Sequence, residues 1–400
     1  MNRVVRIATV AASILILLTG FSHLTEIGPR SELLRSPTNN DSFGWTRVSP
    51  VLSPPAMAGA MMAQSTKANR LLLFGGWDGM TALNGTWVYD PGDKTWVELH
   101  PTVRPEARGD GMMVYSQRAD GFILFGGWHE ETNGTYRRLG DTWWFDLKSG
   151  TWIEQHPAAS PSPRSDSQVA FDAARDEMLL MGGFDGMSYL GDIWSYNSSN
   201  NNWSPRAAQI SPSPRADGRM VYEDNQDRFI LFGGNDFNGP GSSFHHLGDT
   251  WSYNPNTNEW RLLKTSGEPG ARDYPNLVYD GGRNRVLMTA GFGNNTILSD
   301  LWALDANTNV WVNLTPIRSP PARFAAVGGF DTATAELVLF GGLANIGLLA
   351  DTWHYGEGRP AVSPPLAPVV IAGIGSLIAV GLALAVLLVV TRNRWRIRRS

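Results

Sequence analysis

The sequence contains no cysteine. That single absence excludes a disulfide scaffold, a thiolate metal site, a cysteine nucleophile and a lipoprotein anchor. Neither charge is in marked excess: 33 Lys and Arg stand against 37 Asp and Glu, for a formal net charge of -4, and no basic block interrupts the central part of the chain. Capture of DNA or RNA needs a positive field, so nucleic-acid binding is set aside. At 42% hydrophobic and 18% charged over 400 residues, the chain is neither disordered nor fibrous. What it has in excess is tryptophan. Sixteen Trp with 43 Gly and 25 Pro describe a turn-rich, strand-rich protein, and that composition prompts a search for repeats.

Long apolar runs occur only at the two ends. Arg3 and Arg6 precede an apolar stretch from Ile7 to Leu18, which reads as a signal peptide or N-terminal anchor over residues 1–22, with a linker over 23–42. Val369 to Val390 is uncharged, and at ~1.5 Å per residue it gives ~33 Å of helix, enough to cross a bilayer. Arg392, Arg394, Arg396, Arg398 and Arg399 follow it and place the tail, 391–400, in the cytoplasm by the positive-inside rule. The expectation is a single-pass membrane protein, with a linker over 359–368 and residues 43–358 extracytoplasmic. Seven N-x-S/T sequons, from Asn40 to Asn313, are compatible with export but arise easily in Asn-rich turns.

Between the ends, an apolar run closing in a glycine pair recurs, at Gly76, Gly127, Gly183, Gly234, Gly291 and Gly342, spaced by 51, 56, 51, 57 and 51 residues. Behind each pair stands a first tryptophan (Trp87, Trp143, Trp194, Trp251, Trp302, Trp353), commonly within a G-D-T-W stretch, and then a turn. A second tryptophan follows in five repeats (Trp96, Trp152, Trp203, Trp260, Trp311), while the sixth member of that series, Trp45, lies upstream of them all. The repeat is therefore circularly permuted. A strand around Trp45 must complete the last unit, closing a ring and leaving no sheet edge. Each repeat offers four strand signals, such as GMMVYS, FILFGG, TWWFDL and TWIEQH between 111 and 156. Four strands in each of six repeats predict an all-β, six-bladed β-propeller over 43–358.

Twelve of the sixteen tryptophans occupy the two repeat positions. Burying one removes about 200 Å² from water, worth on the order of 5 kcal/mol, so these are core residues. Trp77 and Trp128, directly after glycine pairs, stand outside both series and are candidate ligand contacts.

The glycine pairs, the spaced tryptophans and the repeat length resemble the Kelch family over about residues 43 to 358. Departures are local: Ala290 replaces a first glycine in the fifth repeat, and Met57 with Gly85 breaks the pattern in the first. The resemblance implies a propeller that binds partners or substrates on the face carrying the loops between second and third strands. Two of those loops are long, Trp128 to Gly140 and Asn235 to Gly248. With Trp77, the candidate ligand-binding residues are Trp128, His129, Glu130, Asn235, His245 and His246.

An arginine recurs before the first strand (Arg108, Arg164, Arg215, Arg272, Arg323), and an aspartate recurs two residues before the first tryptophan (Asp141, Asp192, Asp249, Asp300, Asp351). One reading is a positive mouth for carboxylates, sialic acids or acidic peptides. The other is structural ion pairs, because the one repeat lacking the arginine also lacks the aspartate, and a forked guanidinium can bridge to a carboxylate on a nearby strand. The paired reading is adopted. Asp110, Asp166 and Asp217, two residues after their arginines, are expected on the same side of a strand.

No catalytic residue, metal or cofactor is assigned. His129, His245 and His246 lie on repeats that are not neighbours in the ring, and the copper-radical chemistry known in this family needs a cysteine joined to a tyrosine. The expected function is a membrane-tethered extracytoplasmic binding protein for a protein or glycan. The alternative is a sugar-handling enzyme on the same scaffold, similar to a sialic acid mutarotase, since anomer interconversion needs only a general acid and base.

Overall fold

The computed structural model describes residues 44–236 and 245–356. These residues lie in one compact unit. The expected signal, linkers, membrane helix and basic tail fall outside the described residues. Among the described residues no helix is long and apolar enough to cross a membrane.

Six four-stranded antiparallel sheets make the fold. Blade one consists of Met61–Ser65, Arg70–Phe74, Thr86–Asp90 and Thr95–Leu99, and blades two to five repeat that meander. Blade six takes Val327–Asp331, Glu336–Phe340 and Thr352–Gly356 from the end of the repeat region and its fourth strand, Gly44–Val48, from the beginning. Trp45 stands opposite Tyr355 in that closing pair. The first strands of successive blades contact one another all the way round, so they are innermost and surround the axis.

The tryptophan periodicity decides where the core lies. Hydrophobic clusters fill the six gaps between neighbouring blades, one per gap, including the closing gap where Leu71 and Trp96 of blade one meet Val338 and Phe340 of blade six. Each second tryptophan is buried there. Its indole also reads the preceding blade: Trp96 Nε1 donates to Thr352 Oγ1 at 3.0 Å, Trp152 to Thr86 at 3.1 Å, Trp203 to Thr142 at 3.1 Å and Trp311 to Thr250 at 3.2 Å. This explains the threonine of G-D-T-W. Blades three and five carry Ile193 and Leu301 instead, and the indole nitrogens of Trp260 and Trp45, the two tryptophans that face them, have no hydrogen-bond partner.

The second glycine of each pair is required by close approach. At Gly127, with φ +107°, a Cβ would lie 2.8 Å from the Gly109 carbonyl oxygen. At the first position of the pair Ala290 adopts φ +66°, where the other blades use glycine.

Candidate functional site

The repeated arginines frame the face that carries the second-to-third-strand loops. Arg108 donates from Nη1 and Nη2 to the two oxygens of Asp141, both at 2.7 Å, and from Nη1 to the Gly126 carbonyl at 2.9 Å. Arg164–Asp192, Arg215–Asp249, Arg272–Asp300 and Arg323–Asp351 repeat the fork, each with a closest contact of 2.6 Å. All five guanidinium groups are buried. Burial alone would push the five aspartates up. The arginine hydrogen bonds and charge, with help from the first tryptophan's indole N–H, outweigh it and hold them below the ordinary carboxylate range. The main chain of each arginine serves the neighbouring blade: Arg108 donates to Leu83 O and accepts from Gly76 N. In blade one Met57 keeps that main-chain pattern toward Leu349 and Gly342, while its buried side chain and Gly85 stand where the ion pair would be. A ring of free arginines is therefore not what lines this mouth.

What lines it begins two residues further on. Gly59, Asp110, Asp166, Asp217, Tyr274 and Ala325 occupy one position in six blades, and all adopt φ between 49° and 62°. Each of five N–H groups donates to the carbonyl of the previous blade's member: Gly59 to Ala325 (3.0 Å), Asp110 to Gly59 (2.8 Å), Asp166 to Asp110 (2.9 Å), Asp217 to Asp166 (3.0 Å) and Tyr274 to Asp217 (2.8 Å). The result is a hydrogen-bonded hoop around the axis. The expectation that these aspartates follow the alternation of a strand is corrected: they sit in a left-handed turn just before the strand, a conformation that Asp tolerates better than most residues.

The hoop delivers three carboxyls from consecutive blades. Asp110 accepts from Trp128 Nε1 at 2.7 Å, Asp166 from Ser165 Oγ at 2.6 Å, and Asp217 from Asn235 Nδ2 at 2.6 Å. The same Asn235 amide donates to Asp273 at 3.0 Å, and His246 lies 3.3 Å from Asp273. Burial first, and then the Asp166 charge, pushes the Asp110 carboxyl up to about 7. The same causes in the same order raise Asp217 well above the carboxylate range. Tyr189 and Tyr274 are raised, first by burial and then by the charges of surrounding aspartates.

Aromatic rings stand around these acids. Trp128 meets Tyr136 edge-on with centroids 5.3 Å apart, Phe184 meets Tyr189 at 5.3 Å with the Arg138 guanidinium 5.1 Å above its ring, and Phe292 touches both His246 and Phe324. Further out, Met80, Met187 and Ile346 cap three of the loops at 81%, 76% and 82% exposure. All three are four residues past a glycine pair, so they are equivalent positions. Among the described residues no group of three or more His, Asp or Glu is arranged to hold a metal ion.

The structure reassigns several candidates. Trp77 and Trp128 are not outside the repeat: the residue after the glycine pair is Trp77, Trp128, Phe184, Asn235, Phe292 or Leu343, and each bridges to the segment before its first strand. Trp128 is buried rather than presented on the surface, and Trp77 is partly buried between bridges to Ala58 and Ala82. His129 turns to Ala107 O (2.8 Å) and Glu106 (3.5 Å), and Glu130 lies in the strand pair opposite Tyr136. His245 is mostly exposed, 3.2 Å from Asp236. Of the long-loop candidates, Trp128, Asn235 and His246 join the acids. Asp273, Tyr189 and Tyr274 were missed. The available signal was the register: Arg272 is followed by Asp-Tyr where Arg215 is followed by Ala-Asp.

Comparison with known proteins agrees with this architecture. Residues 118–342 match the family model for the KLHDC2/KLHL20/DRC7 Kelch-repeats domain, and residues 66–101 match the Kelch motif. The leucine-zipper-like transcriptional regulator 1 homolog of Drosophila melanogaster is 25% identical over 68% of this chain and 28% of its own length. Mei4-dependent protein 6 of Schizosaccharomyces pombe is 22% identical over 72% and 45%, and Kelch domain-containing protein 10 of Xenopus tropicalis is 28% identical over 42% and 41%. The chain thus spans less than half the length of these relatives. With a Kelch domain matched over more than half of the chain and the same glycine-pair repeat closing a six-bladed ring, the chain belongs to the Kelch-repeat family.

Proposed function

We propose that this protein is an extracytoplasmic binding module, tethered to the membrane through Val369 to Val390, whose loop face docks a protein partner. The observation that carries the reading is the layout of that face: exposed apolar tips at Met80, Met187 and Ile346 around a polar, partly buried centre. Three large apolar side chains recurring at one equivalent loop position around a single face supply apolar contacts of the kind used at interfaces. A photo-crosslinking residue at position 80 or 187 of the full chain, expressed in its host, should trap one discrete partner. The same residue at position 199, on the opposite hairpins, should not. Equal labelling from both faces refutes loop-face docking. Protease added to intact cells should remove the propeller and leave the tail, and a protected propeller refutes the topology.

The alternative, a sugar-handling enzyme, is favoured by one observation: an acid near neutrality, Asp110, beside Asp166 and Tyr274 in a central mouth. Faster anomer interconversion of a free sialic acid in the presence of the full chain, followed by proton NMR, and its loss in Asp110→Asn, would support it. Rates equal to buffer would end it.

A further inference from the structure

Resting on the loop-face reading, we infer that the mouth of the propeller takes a basic anchor, a lysine or arginine side chain of the partner protein, set down among Asp110, Asp166 and Asp217.

The warrant is an imbalance that this chain leaves uncorrected. The repeated carboxylates beside the hoop are matched by cations: five aspartates hold five buried arginines. The three hoop aspartates are not, for none of them forms an ion pair among the described residues, although the hoop backbone links them directly in consecutive blades. Two cations lie near enough to influence Asp110, Arg138 and Arg219. Neither forms an ion pair among the described residues: Arg138 lies over the Phe184 ring, and Arg219 donates to the Gly218 carbonyl. Asp273, the fourth acid, is already engaged by Asn235 and His246.

A second observation is independent of charge. Asp217 is 7% exposed and Asn235 is fully buried, yet among the described residues Asp217 Oδ1 and Asn235 Oδ1 have no hydrogen-bond donor. Asn235 spends its amide on Asp217 and Asp273, so the cluster holds acceptors in surplus and lacks donors. Buried acceptors are nearly always satisfied. An ammonium with three N–H groups or a guanidinium with five supplies donors and charge together, and the aromatic rings around the acids suit the apolar stem and the cation. An acidic ligand would meet repulsion here, and the arginines that could have received it are already engaged.

Proton linkage follows. Without a ligand Asp110 and Asp217 are held protonated by burial and by the Asp166 charge, so a bound cation must expel those protons. Affinity then rises with pH until the carboxyls ionise unaided.

The test is a random peptide display selection on the full chain, in parallel on wild type, on Asp166→Asn/Asp217→Asn and on Met80→Asp/Met187→Asp. Peptides that need Met80 and Met187 are loop-face binders. The inference expects those peptides to share a Lys or Arg, to lose about tenfold or more in affinity when it is replaced by Gln or when the acid pair is amidated, and to bind more tightly at about pH 8 than at about pH 6. Loop-face peptides without a basic residue, or with one indifferent to the acid pair, overturn the basic anchor and leave loop-face docking standing. Absence of any peptide sensitive to Met80 and Met187 overturns docking itself, and the anchor with it. Stabilisation of the wild type by millimolar calcium that is lost in the acid-pair variant would assign the site to a metal instead. The melting temperature of each variant confirms that it is folded, and amidation is expected not to lower it.

Discussion

Trp260 shares a core cluster with Ile193, and its buried indole nitrogen lacks a partner, whereas Trp203, one blade back, donates the same nitrogen to Thr142. At the acceptor position the two sites differ in one residue of the preceding blade, Thr142 against Ile193. Replacing Ile193 by Thr offers the missing acceptor at the cost of some apolar area, and the reverse change, Thr142→Val, strands the Trp203 nitrogen. The second change should destabilise by about 1–3 kcal/mol, the cost of an unsatisfied buried donor. Ile193→Thr should be far closer to neutral. Denaturant unfolding of the two variants decides it, and equal losses would remove the threonine's assigned role.

Blade one describes a natural double replacement, Met57 with Gly85, at the position where Arg108 and Asp141 pair in blade two. Arg108→Met alone leaves Asp141 partly buried without its cation and should cost about 3–5 kcal/mol. Arg108→Met with Asp141→Gly should cost much less than the two single losses added together. A double-mutant cycle measures the difference, and simple additivity would show that the two residues do not act as a pair.

Asp110 and Asp217 make stability fall as pH rises. An Asp raised from about 3.9 to a folded value near neutrality binds more protons in the native state. Its favourable contribution is complete below the unfolded value and is lost as pH climbs through about 7. The five arginine-paired aspartates act in the opposite sense, since depressed values remove stability only as pH falls below the ordinary carboxylate range. The melting temperature should therefore drop between about pH 5 and pH 8, and Asp110→Asn should flatten that drop. A flat wild-type profile over that window would contradict the buried, repelling cluster.

Asp217→Asn extends the point at neutral pH. It removes a carboxyl that must either hold its proton or carry a buried charge without a counter-ion among the described residues, keeps an acceptor for Asn235 and offers a donor toward Asp166. The variant should be more stable than the wild type by about 1–3 kcal/mol. A loss of stability would mean that Asp217 is already compensated within the chain.

Ring closure gives the last prediction. Gly44–Val48 reaches its partner Thr352–Gly356 across the whole repeat region. Deleting 44–48 would expose a strand edge in blade six and empty the Trp45 site beside Tyr355. Rapid proteolysis or insolubility is expected, and an unchanged melting temperature would refute closure by this strand.

How much of this was legible in the chain follows from what a repeat can encode. Blade number, permutation and the core role of Trp96 or Trp203 were readable, because a recurring large side chain at constant spacing has to meet its counterpart in every unit. The pairing of Arg108 with Asp141 was also indicated, by their joint replacement in blade one. The site was not readable in this way, because it is built from what differs between blades at one register: Asp110, Asp166 and Asp217 against Gly59, Tyr274 and Ala325. Taken along the chain, these are ordinary turn residues more than fifty positions apart. Only the packing of successive blades sets three of them side by side around one axis, and only burial there pushes the Asp110 and Asp217 carboxyls up beside Asp166, with no ion pair to any of the three among the described residues.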